Sequence, residues 1–279
     1  MDDAFRLESS ENQAIFEREI EPAFLLVTSE VTKPTAVLIA AQTGAGKSGL
    51  LKKTQEELQE NAIFVNTDEL RRHHPRYEES GRLGDLESAA RTQHDASAWR
   101  DKLLLSSIQN RRNVIMEGVF KDADGLLKAI DHLKEAGYEV VVRFLGVHRR
   151  QSILGVHLRY EEQKDKTGHG RFAPVGYHDE CYEKLLETAS KVEQHSRADI
   201  IEVYNRAGEL LHKTQPARDS DTTQHAIEKE RARSMNKEEQ KSYRQGWKRV
   251  INFMERREAP GEQIKSVKSL TEELLKDLE

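Results

Sequence analysis

The chain has 279 residues, of which 33% are charged and 36% hydrophobic, with a formal net charge of -5 and a pI near 6.2. That length suits one sizeable core with an appendage, and the acidic balance offers no global basic field for phosphate neutralisation, so nucleic acid is not an expected partner. One cysteine, Cys181, excludes an internal disulfide framework and a multi-cysteine zinc site, and fits a reduced cytoplasmic compartment.

The opening segment MDDAFRLESSENQ is acidic and polar, and no apolar run approaches the ~18 residues that span a bilayer. Neither secretion nor a membrane association is expected. Residues 11–32 read as a helix in which Ile15, Phe16, Ile20, Phe24 and Leu25 form an apolar stripe that Pro22 interrupts.

Five apolar runs, 35–41, 62–66, 113–117, 139–147 and 199–204, then read as buried strands, most of them dominated by Val, Ile and Leu. Charged segments of helical periodicity lie between them. This alternation predicts an α/β fold, a doubly wound, mostly parallel sheet with helices on both faces.

The segment Ala41-Gln42-Thr43-Gly44-Ala45-Gly46-Lys47-Ser48 follows the first strand and opens a helical run, the context a phosphate-binding loop requires. Its glycines let backbone N–H groups face phosphate oxygens at the positive end of a helix. Lys47 would reach the β and γ phosphates of ATP, and Ser48 would place its hydroxyl on Mg2+. The consensus begins with glycine where this chain has Ala41, which is tolerable if that residue keeps a negative φ.

Asp68 lies just past the second strand, where open α/β sheets bind ligands, and could accept the proton of a substrate hydroxyl. It is also suited to cap the next helix. Glu117 closes the third strand and could bind substrate hydroxyls or hold the metal through water. After the fourth strand, Arg149, Arg150, Arg159 and Arg171 bracket the stretch Thr167-Gly168-His169-Gly170-Arg171-Phe172, which reads as a glycine-hinged lid whose arginines could clamp the transferring phosphate.

From about Asp219 the strands stop and two C-terminal helices are expected, one of them carrying the apolar face Trp247, Val250, Ile251 and Met254. The charge run Glu228 to Arg233 reads as a solvated face. The chain thus divides into a phosphate-loop kinase domain, 1–218, with its N-terminal helix and lid, and a helical extension, 219–279.

Several segments together resemble the zeta toxins of bacterial toxin-antitoxin systems: KPTAVLIAAQTGAGKS, FVNTDELRRHHPRY, NVIMEG, LRYEEQ, GRFAPVGYH and ADIIEVYNRAGELL as the last strand. The phosphate loop occurs in many families, but its pairing with N-x-D-E-x-R-x-x-H-P after the second strand is far more discriminating. The resemblance implies a kinase for UDP-N-acetylglucosamine that blocks peptidoglycan precursor use, and an antitoxin that occludes the nucleotide site.

Carried over by position, the resemblance makes Asp68 the base and, with Arg71, part of the substrate-binding set, Lys47 and Ser48 the phosphate and magnesium ligands, Glu117 a sugar-binding carboxylate, and Arg159 and Arg171 the phosphate clamp. Asp101 is the counterpart of a further substrate-binding carboxylate. The family commonly reads Gly-Thr-x-Arg where this chain has Gly118-Val119-Phe120-Lys121, so Lys121 stands where a two-pronged guanidinium is usual. That departure keeps open a kinase for another hydroxyl compound, such as an antibiotic, nucleoside or polynucleotide end. A nucleotide-dependent interaction protein without turnover is the third reading.

Overall fold

The computed structural model describes residues 5–82, 85–168 and 170–276, so His169 of the expected lid lies outside the described residues. Six strands form one sheet in the order β2-β3-β1-β4-β5-β6: β1 Thr35–Ala40, β2 Ala62–Val65, β3 Asn113–Gly118, β4 Glu139–Leu145, β5 Ile200–Tyr204 and β6 Leu210–Thr214. The first five run parallel and β6 is antiparallel to β5.

The N-terminal half contributes helices α1 Ser9–Ile15, α2 Glu21–Leu26, α3 Lys47–Glu57, α4 Thr67–Leu70, α5 Tyr77–Arg82 and α6 Asp85–Gln109. The C-terminal half contributes α7 Ala123–Glu135, α8 Arg149–Thr167, α9 Val175–His195, α10 Thr222–Ala232, α11 Lys237–Arg256 and α12 Gly261–Lys276.

Alternation along the strands explains why both faces are covered. On one face Ala36, Leu38 and Ala40 of β1 pack with Val140, Val142 and Phe144 of β4 against Trp99, Leu103, Leu126, Ile130, Leu185 and Val192 of α6, α7 and α9. On the other, Val37, Ile39, Val141 and Leu145 meet Leu50 of α3. Two-sided burial of this kind is the doubly wound arrangement expected from the sequence.

Strand order positions the site. Because β3 lies between β1 and β2, with Ile39 opposite Glu117, Ala40 opposite Gly118 and Val65 opposite Met116, the carboxyl ends of three strands open side by side. The phosphate loop, Glu117 and Asp68 follow from those three ends.

Four expectations need correction. The segment ADIIEVYNRAGELL contains two strands rather than one last strand: β5 turns at Asn205–Gly208 into β6, whose Leu210 and Leu211 are exposed. The first helical run spans residues 9–26 rather than 11–32, and its α-helical pattern is broken by a π-helical turn at Phe16–Ile20 that leaves Pro22 in the first turn of α2, where a proline is tolerated.

Three C-terminal helices exist where two were expected. Helix α10 carries little apolar signal, but Glu193 of α9 accepts bonds from Ser220 Oγ, Thr222 Oγ1 and the Thr223 amide at 2.5, 2.6 and 2.7 Å and so anchors its start. The charge run within it is also not wholly solvated. Ile227 is in the main core, and the buried Arg231 guanidinium lies 3.6 Å from the centre of the Tyr182 ring while Nη2 donates to the Tyr182 carbonyl at 2.8 Å.

The apolar face of α11 is covered by the chain itself. Tyr243, Trp247, Val250 and Met254 pack with Ile153 and Leu154 of α8 and Leu274 of α12 in a separate satellite core. Among the described residues no helix is long and apolar enough to cross a membrane.

Candidate active site

Residues 41–46 carry the chain from β1 into α3. Gly44 and Gly46 have φ of 73° and 98°, conformations that a side chain resists. At Gly44 the space forbids one as well, since a Cβ would lie 2.0 Å from the Ser152 carbonyl oxygen and 2.7 Å from the Val156 amide nitrogen of α8. The approach is mutual: a Cβ on Gly155 would lie 2.1 Å from the Gly44 carbonyl oxygen. Ala41 does not adopt a positive φ, so the departure from glycine costs no strain.

Lys47 folds back over this loop, its Nζ donating to the carbonyls of Ala41 at 3.3 Å and Gln42 at 3.4 Å. Burial lowers its pKa, and the Glu117 carboxylate works against that shift. Helix α3 begins without a side-chain cap, leaving its first N–H groups free for an anion. Thr43 Oγ1 and Gln42 Oε1 are buried without hydrogen-bond partners, while Ala45 packs behind the loop.

An ammonium, uncapped helix amides and an unpartnered hydroxyl on a glycine-shaped cradle fit a polyphosphate. Ser48 is exposed on the first turn of α3. Among the described residues no group of three His, Cys, Asp or Glu side chains could enclose a metal ion.

Asn66, absent from the expected site, organises the acidic side. Its Oδ1 caps α4 by accepting from the Asp68 amide at 2.7 Å, and its Nδ2 donates to Glu117 Oε1 at 2.9 Å. Asp68 therefore does not serve as the cap, and its carboxylate is turned to other partners. Arg171 Nη1 donates to both of its oxygens at 2.7 Å, and Arg71 Nε donates to Oδ1 at 3.2 Å.

Desolvation by the cleft walls works to raise the Asp68 pKa, but the guanidiniums of Arg171 and Arg71 outweigh it and hold the carboxyl below the usual aspartate range. Glu117 moves the opposite way. Burial raises its pKa more than Lys47 lowers it, and the neighbouring Asp68 charge adds to the rise. Arg71 is itself buried, donating to Thr92 Oγ1 at 3.2 Å and to Gln93 Oε1 of α6.

The two expected lid arginines differ in setting. Arg159 sits within α8 rather than on a loop, and Arg171 follows in the short segment between α8 and α9. Burial lowers the Arg159 pKa, Arg171 adds to that, and Asp68 and Glu117 oppose it. Lys47, Asp68, Glu117, Arg159 and Arg171 are thus close enough to shape one another's ionisation.

Other expected residues lie apart from this cluster. Asp101 is exposed on α6, its Oδ1 accepting from Arg100 Nε and Nη2 at 2.9 and 2.7 Å, and the side chains that α6 sends to the cluster are Thr92 and Gln93. Lys121 bonds Glu180 of α9 at 3.0 Å and lies 4.7 Å from the centre of the Tyr177 ring. Arg149 is bound by both carboxylate oxygens of Asp179 at 2.8 and 2.6 Å. The fully buried Cys181, not an expected site residue, lies within electrostatic reach of Lys47 and Lys121.

Arg206 was not singled out in the sequence. From the β5–β6 turn, its Nη1 donates to the Gly44 carbonyl at 2.9 Å and the Gln151 carbonyl at 3.1 Å, strapping the phosphate loop to α8. Beyond it lies a cavity of about 810 Å³ walled by the same turn, α8 and α11, and none of the phosphate-loop residues line that cavity.

Residues 24–216 match the model of the zeta toxin family. The chain belongs to that family. Its zeta toxin relatives include Toxin PezT of Streptococcus pneumoniae serotype 4, 29% identical over 175 residues, which are 62% of this chain and 69% of PezT. Toxin zeta of Enterococcus hirae is 26% identical over 183 residues, or 65% of this chain and 64% of the relative's own length.

Solved structures share the zeta toxin fold. A chain from the PezAT chromosomal toxin-antitoxin system of Streptococcus pneumoniae aligns with a TM-score of 0.78 at 22% identity, over 90% of this chain and 99% of that one. AvrRxo1-ORF1:AvrRxo1-ORF2 with ATP aligns with a TM-score of 0.60 at 14% identity, over 95% and 86%. The family match ends before α10, whereas the PezAT chain aligns over almost its whole length.

Proposed function

We propose that this zeta toxin family member is an ATP-dependent kinase that transfers the γ-phosphate to a hydroxyl of a UDP-amino sugar, UDP-N-acetylglucosamine first among them, and thereby acts as a toxin by withdrawing a cell-wall precursor. The observation that carries the reading is the placement of Asp68. An ionised carboxylate sits at the carboxyl edge of the sheet, within electrostatic reach of the phosphate-loop lysine, with Arg159 and Arg171 beside it.

In this reading Lys47 and the loop amides of residues 42–48 would hold the β and γ phosphates, and Ser48 would hold Mg2+, which would supply positive charge against the phosphates. Asp68 accepts the acceptor hydroxyl's proton as the hydroxyl oxygen bonds to the γ-phosphorus and the bond from that phosphorus to the β–γ bridging oxygen breaks, releasing ADP. Arg159 and Arg171 face the charge on the equatorial oxygens. Glu117, with its raised pKa and its Asn66 contact, holds a sugar hydroxyl. Arg71 fixes the Asp68 carboxylate from behind rather than touching the sugar. The 1–218 kinase domain with a 219–279 extension remains our division of the chain.

For Arg171 to engage phosphate it must release Asp68, so the present pairing describes the enzyme before substrate entry. A protein antitoxin that covers the nucleotide site fits the company of the relatives, which include toxins and a chain from a toxin-antitoxin system. We place the reaction in the cytoplasm, where ATP and nucleotide sugars are available.

One observation favours a second reading. Lys121, at the position where the family commonly carries arginine, is occupied by Glu180 and Tyr177, so a different acceptor alcohol would be accommodated there. Magnesium-ATP with a panel of UDP-sugars and other alcohols, read by product mass for the wild type and Asp68→Asn, separates the two. One added phosphate on a UDP-amino sugar, absent in the variant, is expected. Phosphate on another alcohol alone selects the second reading, and ATP binding with no transfer to any acceptor defeats both.

A further inference from the structure

We infer that α11 with its C-terminal cap residue Arg257, in the C-terminal extension, is a positioning element for the two lid arginines, acting through Arg257 on Glu161 and Trp247 on His157. The inference rests on the kinase reading above, and its holding residues, Arg257 and Trp247, lie beyond the family match.

Helix α8 is pinned to the phosphate loop near its N-terminal end, where Gly155 meets Gly44 at backbone distance, so a shift that starts at Glu161 falls on the part of the helix beyond that contact. Arg159 rides on this helix. Among the described residues no hydrogen bond holds its guanidinium, and its buried Nε is unpartnered. With no hydrogen bond to fix it among the described residues, its place follows the helix that carries it and the nearby charges of Asp68 and Glu117.

What holds that helix on its other side is α11 together with Arg257, which caps it. Glu161, two residues beyond Arg159, has a side chain only 3% exposed and accepts from Arg257 Nε at 2.7 Å and Nη2 at 2.9 Å. Arg249 donates to Glu162 at 2.7 Å and Arg256 to Asp165 at 2.6 Å, so three successive carboxylates of α8 each meet an arginine of one partner element. Gly246 allows the close approach, for a Cβ there would lie 2.6 Å from Leu154 Cδ2.

The second lid arginine is reached through rings. Trp247 lies 5.2 Å from His157, centre to centre, and His157 lies 5.1 Å edge-on from Phe172, the residue after Arg171. Tyr160 closes on the same Phe172 at 5.3 Å. Removing Arg257 leaves a buried carboxylate without its two-pronged partner, and α8 must shift or admit water to solvate it. Either response displaces Arg159 from the phosphate and leaves the loop amides that bind ATP largely in place.

The test is steady-state transfer from ATP by the full chain, with KM for ATP and melting temperature measured beside kcat. Arg257→Gln is expected to lower kcat about tenfold or more, with KM for ATP changed less than about threefold. The exchanged pair, Glu161→Arg with Arg257→Glu, should recover most of that loss, which a generally loosened fold would not. Should Arg257→Gln not fold, Arg257→Lys keeps the charge without the two-pronged contact and carries the same test.

A folded Arg257 variant with kcat within about twofold of wild type overturns the inference. So does a loss that appears only in melting temperature. If the wild type itself phosphorylates no acceptor, the kinase reading has failed instead. The same split between kcat and KM is then read on ATP hydrolysis, where an unchanged kcat overturns the positioning role.

Discussion

Arg171 and Asp68, 103 positions apart in sequence, meet through one guanidinium nitrogen lying 2.7 Å from both carboxylate oxygens. The contact joins the segment after α8 to the helix after β2 and keeps Asp68 ionised. Because the pair stands at a half-exposed rim, with the side chains 50% and 54% exposed, it can open without stranding a buried charge.

The pH profile of transfer separates the two carboxylates. Asp68 is held below the usual range, so if it is the base the rate stays flat on the acid side down to ~4, the ordinary aspartate value, and falls only below it. Glu117 is shifted upward. An acid limb above that range, retained in Asp68→Asn and lost in Glu117→Gln, would transfer the proton-accepting role to Glu117.

Lys47→Ala removes the ammonium that folds over the loop carbonyls. Calorimetric titration should find ATP affinity strongly reduced, and transfer should fall by about two to three orders of magnitude. Asp68→Asn, by contrast, should bind ATP nearly as the wild type does while transfer is lost. ATP affinity unchanged in Lys47→Ala would remove the loop from nucleotide binding.

Glycines provide an internal comparison for stability. Gly44→Ala must strain a φ of 73° and push a methyl to within 2.0 Å of the Ser152 oxygen, a combination expected to cost about 2–4 kcal/mol. Gly155→Ala should be similarly harmful, because its neighbour is the same loop backbone. Gly49→Ala, in α3 with nothing within 4 Å, should be neutral or stabilise by up to about 1 kcal/mol. Urea midpoints of the three variants rank these effects.

His157 gives a window of pH-dependent stability. Burial depresses its pKa to about 4, against ~6.5 when unfolded. Between those values the unfolded chain binds the extra proton, so stability from this group is complete above ~6.5, lost as the pH falls toward about 4, and constant below. For a ring 7% exposed the loss is on the order of 3 kcal/mol. His157→Phe should reduce the difference between urea midpoints at neutral pH and near 4.5; the same difference in wild type and variant would contradict it.

Much of this architecture was legible because its signal is local. The five parallel strands are short runs of apolar residues buried on two faces, and the phosphate loop is one contiguous segment whose glycines answer a backbone need. Asp68 and Glu117 stood out because they close strands. Strand β6 did not, since an edge strand with exposed Leu210 and Leu211 lacks the alternation that a half-buried strand carries. Helix α10 was hidden for a related reason: it is held largely by a buried glutamate on another helix and by an arginine on a tyrosine ring, contacts that leave no periodic trace.

The sequence by itself determined the family, the doubly wound sheet and the side chains that meet at its carboxyl edge, because each depends on residues within a few positions of one another. Tertiary structure alone decided who holds whom. It made Asn66 the bridge between two carboxylates, turned Asp101 outward, gave Lys121 to Glu180, strapped the phosphate loop with Arg206 and set α11 behind the lid helix. Those relations depend on strand order and helix packing, which bring together side chains that spacing along the chain does not relate.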